Sequence, residues 1–219
     1  MFGRRVVGNK AGAPKKGRDK TKSSFYNSEG IYKTRIAGIK TKACQLWENL
    51  RNRTEYLPLR NPSRHGKYAD VIVCGEWKDF QVFADWFYST KSNGHYHEGW
   101  TLDKDLLVKG CKVYSPETCV FLPPEVNRAL NTRSRARGEL PVGLCYGGKN
   151  RAFIDMQYGC DDPDYHVWKY FPVDQVAEAF AEYKVAREGN IRNMAITYEG
   201  KLDSRAYSAL LSYTINIED

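Results

Sequence analysis

The sequence predicts an α+β chain in three successive parts. These are a basic helical N-terminal part, a strand-loop-strand-helix unit over 101–130, and a three-stranded antiparallel sheet packed on one helix. Three observations predict it. Apolar residues recur at helical intervals before residue 90, short β-prone runs bounded by Gly and Pro follow after 100, and Pro123-Pro124 opens a short helical run directly behind one of them. At 219 residues with 42% hydrophobic content the chain has enough apolar side chains for one large or two small cores.

Residues 1–24 come first, with Arg4, Arg5, Lys10, Lys15, Lys16, Arg18, Lys20 and Lys22 set among glycines and small residues. Such a composition buries too little apolar surface to offset ordering entropy, so it reads as a disordered basic arm. It would touch phosphates without reading sequence. A solubilising tail and a localisation signal are the other readings of the same residues.

From about Arg35 the spacing predicts a helix, with Ile39, Ala43, Leu46, Trp47 and Leu50 as its apolar stripe. Lys40, Lys42, Arg51 and Arg53 fall off that stripe, either toward a phosphate backbone or on an ordinary solvated face. Arg60 to Lys67, with Arg64 and Lys67, reads as a basic loop, and Asp70 to Cys74 as a short strand. Phe80, Phe83, Ala84, Trp86 and Phe87 then recur on one helical face and read as core.

The next unit runs from Trp100 to Leu130. Thr101 to Lys104 is a strand candidate entering an acidic pair, Asp103 and Asp105. Gly110 and Ser115-Pro116 punctuate the loop, Thr118 to Leu122 is a second β-prone run, and the proline pair starts a helix through Leu130. After a basic hinge at 133–138, Val142 to Tyr146, Arg151 to Gln157 and His166 to Phe171 read as three strands. A helix over about 173–187 follows, then a final one within 203–213.

Charge divides along the same lines. Residues 1–67 hold 17 Lys/Arg against 4 Asp/Glu, residues 68–137 hold 9 of each, and residues 138–219 hold 8 against 13. A polyanion is the natural partner of the first third. No run of roughly 18 apolar residues exists to cross a membrane, and the N-terminus lacks the apolar core of a secretory signal. Six scattered cysteines with no Cys-x-x-Cys pair point to free thiols in a reducing compartment, with a structural zinc site as the rival reading.

The motif Leu102-Asp-Lys-Asp105, followed by Tyr114-Ser-Pro-Glu-Thr-Cys119, resembles the ββα-metal finger of HNH nucleases, in particular a bacteriophage branch of that family. Upstream, Leu46-Trp47 to Arg53, Val73-Cys-Gly-Glu-Trp77 and Phe80-x-x-Phe83-x-x-Trp86 are similar to the segment that precedes the finger there. The resemblance spans roughly residues 40–130. It implies a nuclease domain over 25–137, one divalent cation such as Mg²⁺, and a histidine general base beside the scissile phosphate.

Matching the blocks puts Asp103 at the family's metal-binding aspartate and Asn127 at its helix ligand. The departures are two: Lys104 stands at the histidine position and Thr118 at the central asparagine. A lysine at its reference pKa of roughly 10.4 is a poor base at neutral pH, although its charge suits a phosphate. Asp105 and Glu117 are further oxygen donors of the kind Mg²⁺ prefers. His97, then His95, in Asn93-Gly-His-Tyr-His97, are the imidazoles nearest in sequence that could replace the base. For each the bland alternative stands: loop histidines, a loop-capping acidic pair, and an asparagine that braces its helix.

Residues 138–219 resemble the ethylene-response-factor type of DNA-binding domain, which implies major-groove reading from the sheet by Arg151, Trp168 and Lys169. Asp161, Asp162 and Asp164 and the net acidity of this part leave a protein-docking role equally open. The expectation is therefore a phage HNH-like endonuclease that cleaves duplex DNA with Mg²⁺ or another divalent cation, working in the cytoplasm of an infected bacterium. The alternative is a nuclease-derived factor that binds DNA or a host protein, the latter through the acidic C-terminal part, in counter-defence or regulation, without cleavage.

Overall fold

The computed structural model describes residues 30–131, 139–147, 153–158 and 167–218, with backbone alone for 64, 65, 67, 153–158, 167 and 168. It is a mixed fold of helices and small sheets, α+β in kind.

The N-terminal part opens differently from the expected helix. Strands β1 (Arg35–Ile36) and β2 (Ile39–Lys40) pair antiparallel across Ala37-Gly38, whose φ angles of 48° and 78° make a left-handed two-residue turn. Such turns match the twist of a hairpin. Ile39 is therefore no part of a helical stripe; it is 72% exposed. Helix α1 (Lys42–Arg51) starts at Thr41, whose hydroxyl accepts from the Cys44 N–H, and buries Ala43, Cys44, Trp47 and Leu50. A π-helical segment (Asn52–Tyr56) continues it into α2 (Leu57–Arg60) and α3 (Pro62–His65), so the region expected as a basic loop is short helical turns.

Strand β3 (Ile72–Val73) and helix α4 (Phe80–Ser92) follow, the latter capped by Asp79, whose carboxylate accepts from Gln81. Its buried face is Phe80, Phe83, Ala84 and Phe87, the aromatic repeat read from the sequence. Strand β4 (Thr101–Asp103) pairs antiparallel with β6 (Val120–Leu122), in register Thr101↔Leu122 and Asp103↔Val120. Between them β5 (Val113–Tyr114) pairs parallel with β3, a contact the sequence did not suggest. Helix α5 (Pro124–Leu130) begins on the expected proline.

One core unites these elements. Trp47, Trp77, Phe80, Phe83, Phe87, Phe121 and Leu122 are fully buried, and the Phe121 ring meets Trp86, Phe87 and Tyr96 at centroid distances of 5.5, 5.9 and 4.9 Å. Truncating such a ring to alanine costs about 3–5 kcal/mol. The Trp47 Nε1–H donates to the Trp77 carbonyl at 2.7 Å, tying α1 to the turn before α4.

The last part is a sheet in the order β7 (Leu144–Gly147), β8 (Phe153–Tyr158), β9 (Val167–Phe171), all antiparallel. Helix α6 (Val176–Thr197) lies against β8 and runs ten residues beyond the expected end. Its first half gives Ala179, Phe180 and Tyr183 to the core beneath the sheet, and its second half gives Ile191 and Ala195 to the first core. Helix α7 (Ser204–Leu211) adds Ala206 and Leu210 to that first core. Gly143 marks a close approach: its φ is +83°, and a Cβ there would lie 2.1 Å from the Tyr183 ring. Among the described residues no helix is long and apolar enough to cross a membrane.

Candidate metal and phosphate site on the strand-helix unit

At the end of β4 the chain must turn sharply, and Asp103 makes that turn. Its Oδ1 accepts from the N–H groups of Asp105 (3.0 Å) and Leu106 (2.8 Å), the local bonding that favours aspartate at such positions. Burial pushes the Asp103 carboxyl up from its ordinary range, the Leu106 N–H opposes this, and the nearby Asp105 adds to the rise. A partly buried carboxylate beside a second one is stabilised by any cation brought between them.

Both bonds to Asp103 fall on one oxygen, and the residue lines a cavity of about 650 Å³. Asp105, from the same turn, lines it too, as does Asn127 from the first turns of α5. The antiparallel pairing of β4 with β6, followed at once by α5, is what brings positions 103 and 127 to one cavity. Asn131, which caps the C-terminal end of α5 in an extended conformation, lines it as well and donates its amide to the Asn127 carbonyl at 2.7 Å. Lys109 stands in the lining, and the far wall is Ala209, Ser212, Tyr213 and Thr214 at the C-terminal end of α7.

The donor chemistry fits a hard cation: two carboxylates and an amide oxygen are the ligands Mg²⁺ takes, with water completing its shell. Among the described residues no group of three or more His, Cys, Asp and Glu is gathered to hold a metal. The fit therefore rests on two carboxylates and an asparagine.

Lys104 is not among the residues that line the cavity but bonds to one that is. It is only 7% exposed, its Nζ donates to Asp105 Oδ1 at 2.6 Å, and it sits 5.7 Å from the Tyr114 ring centroid. Beside it Arg53 donates to the Tyr114 hydroxyl at 3.1 Å and covers the Tyr68 ring. Thr118, at the asparagine position of the resemblance, fixes the loop: its hydroxyl donates to the Val113 carbonyl at 2.8 Å and accepts from the Ser115 N–H at 3.1 Å.

Glu117 is on the exposed outer turn, its carboxyl lowered by a hydrogen bond from Ser115, and is not among the cavity residues. His97 packs on Trp100 at 4.6 Å, and His95 lies near Asp203 with its Nδ1 buried and without a hydrogen-bond partner among the described residues. Neither imidazole lines the cavity. Arg205 of α7 braces the 115–119 turn, donating to the carbonyls of Pro116 (3.1 Å), Glu117 (3.2 Å) and Cys119 (3.5 Å).

The candidate DNA contacts Lys40, Lys42, Arg51 and Arg53 have partners within the fold. Lys40 pairs with Glu48, Lys42 with Glu98 at 3.1 Å, and Arg51 with Glu55 at 2.9 Å. Lys169 on β9 pairs with Glu182 of α6 at 2.5 Å. Arg4, Arg5, Lys15, Lys16, Arg18, Lys20, Lys22 and Arg151 lie outside the described residues, as do the side chains of Arg64, Lys67 and Trp168.

Sequence reasoning missed Asn131, Lys109 and the Ser212–Thr214 wall. The four-residue spacing from Asn127 marks Asn131. The wall, some eighty residues further on in the chain, leaves no local signal. Comparison of this chain with protein-family models, with curated proteins and with solved structures finds no match.

Proposed function

We propose that this chain is an HNH-like, metal-dependent DNA endonuclease of the bacteriophage type, acting on duplex DNA in the infected host. The observation that carries the reading is the convergence of Asp103, Asp105 and Asn127 on one cavity at the junction of an antiparallel strand pair and its following helix. A divalent cation bound there would polarise a phosphodiester and stabilise charge on the leaving oxygen. Asp103 and Asn127 would hold it with Asp105 as a further oxygen donor, Lys109 would position the phosphate, and the basic first third, with its 17 Lys/Arg against 4 acids, would supply most of the affinity. The sheet of β7 to β9 with α6 serves as an ethylene-response-factor-like accessory domain.

A second reading is favoured by Lys104, which is packed under Tyr114 and tied to Asp105 where the family resemblance implies a base. On that reading the scaffold binds DNA or a host protein and has lost cleavage. Incubation with supercoiled plasmid plus Mg²⁺ or Mn²⁺, run beside a gel-shift assay, separates the two. Nicking by wild type that vanishes in Asp103→Ala and in Asn127→Ala, with DNA binding kept, supports the endonuclease. Binding without nicking at any metal concentration refutes it and leaves the second. Lys104→His is expected to raise nicking by restoring the acid-imidazole pair. Strong wild-type nicking lost in that variant would make the lysine part of the catalytic apparatus.

A further inference from the structure

The β1–β2 hairpin carries a pair of exposed isoleucines. Ile36 and Ile39 are cross-strand partners beside the two-residue turn, so both side chains share one face of the ribbon. They are 65% and 72% exposed. Single exposed apolar residues are ordinary, but two isoleucines paired beside a hairpin turn leave apolar area in water with no cover from the described fold.

The base of the ribbon is fixed. The Thr41 N–H donates to the Thr34 carbonyl at 2.9 Å, its hydroxyl donates to the Lys33 carbonyl at 3.1 Å, and the same residue caps α1. Arg35 closes the tip by donating to the Gly38 carbonyl at 2.6 Å. The prong is therefore short, braced and apolar at its end.

Its sequence neighbourhood is cationic: residues 33–42 carry Lys33, Arg35, Lys40 and Lys42 and no acid, and Glu48 and Glu98, which pair with Lys40 and Lys42, leave a net positive charge. An apolar protein groove would not select for that charge, whereas a nucleic-acid groove does. Isoleucine is among the side chains that wedge between base pairs from the minor groove, where flanking cations neutralise the phosphates.

We propose that the hairpin is a DNA wedge: Ile36 and Ile39 insert at a base step from the minor groove and kink the duplex. This rests on the duplex-DNA reading above and extends it, since a kink opens the backbone that a nuclease must reach. Pyrimidine-purine steps unstack most readily.

The test uses the full chain and a short duplex with dyes at both ends and a 2-aminopurine at a central TA step. Wild type should shorten the end-to-end distance, consistent with a kink of roughly 20–90°, and raise the 2-aminopurine fluorescence. Ile36→Ser with Ile39→Ser should still bind, within about tenfold because the charges remain, yet neither bend nor unstack. Ile36→Leu with Ile39→Leu should restore both signals. These positions are exposed, so circular dichroism is expected to match wild type. Wild type that binds without bending, or a serine variant that bends fully, overturns the wedge while leaving the DNA reading intact. Wild type that fails to bind duplex at low salt overturns the DNA reading, and the wedge with it. A wild-type dimer that the serine variant abolishes, with bending unchanged, assigns the prong to a second copy of the chain instead.

Discussion

Glu188 holds the far wall of the cavity from behind, and its removal is the most informative perturbation of stability. It is 7% exposed on α6, pairs with Lys184 at 2.7 Å and Arg192 at 3.3 Å, and accepts from the Ile215 N–H at 3.0 Å. Ile215 is itself buried and follows directly on Tyr213 and Thr214 of the cavity wall. Glu188→Ala leaves a buried N–H without an acceptor, at about 1–3 kcal/mol, and removes two helical ion pairs worth about 0.3–0.5 kcal/mol each. The expected loss is about 2–4 kcal/mol, or a fall in Tm of roughly 8 °C for a chain of this size. Glu188→Gln keeps an oxygen for Ile215 and should lose only about 1 kcal/mol.

The pH dependence follows from the same contacts. Burial pushes this carboxyl up, but Lys184, the Ile215 N–H and Arg192 together hold it below its ordinary value. Its stabilisation is therefore complete above the unfolded carboxylate range and is lost as pH falls through the lowered native value. Urea unfolding followed by tryptophan fluorescence at neutral and acid pH reads both effects. An alanine variant with the wild-type midpoint, or a glutamine variant no better than alanine, would refute the argument.

Other variants report on other parts of the fold. Gly143→Ala must bear a left-handed backbone and a Cβ 2.1 Å from Tyr183, and should lose about 2–4 kcal/mol by urea midpoint. Gly189→Ala, in open space on α6, should instead gain about 0.5–1 kcal/mol. Burial pushes the Cys119 thiol up to about 12, so it should resist alkylation at neutral pH until the protein unfolds, as mass spectrometry of labelled peptides would show. Arg205→Ala should cost about 1–2 kcal/mol and speed amide exchange across 115–119, whose carbonyls it holds.

What was legible in the sequence was local. The two short strands and proline-started helix of 101–130 announce themselves by β-prone runs and Pro123-Pro124, and the aromatic face of α4 by its spacing. The hairpin was hidden because Ile39 falls in helical phase with Ala43, Leu46 and Leu50, while Ala-Gly is a weaker turn signal than Asn-Gly. Gly189-Asn190 looks like a helix end, yet Ile191 and Ala195 carry the apolar face of α6 onward into the first core. In the cavity, Asp103 and Asn127 were found by resemblance of motif. The Ser212–Thr214 wall depends on tertiary packing that no local pattern records.

The parallel pairing of β5 with β3 sets a limit on modularity. Ile72 and Val73 meet Val113 and Tyr114 across some forty residues of chain, and that contact lies inside the connection between β4 and β6. The strand-helix unit is thus laced to sequence synthesised well before it, and a ribosome must release α4 and most of the connection before the lacing closes. Non-local closure of this sort slows folding. A peptide cut at 99–131 would carry every candidate ligand and still lack the strand that clamps its loop, so grafting the unit onto another scaffold would have to carry β3 along.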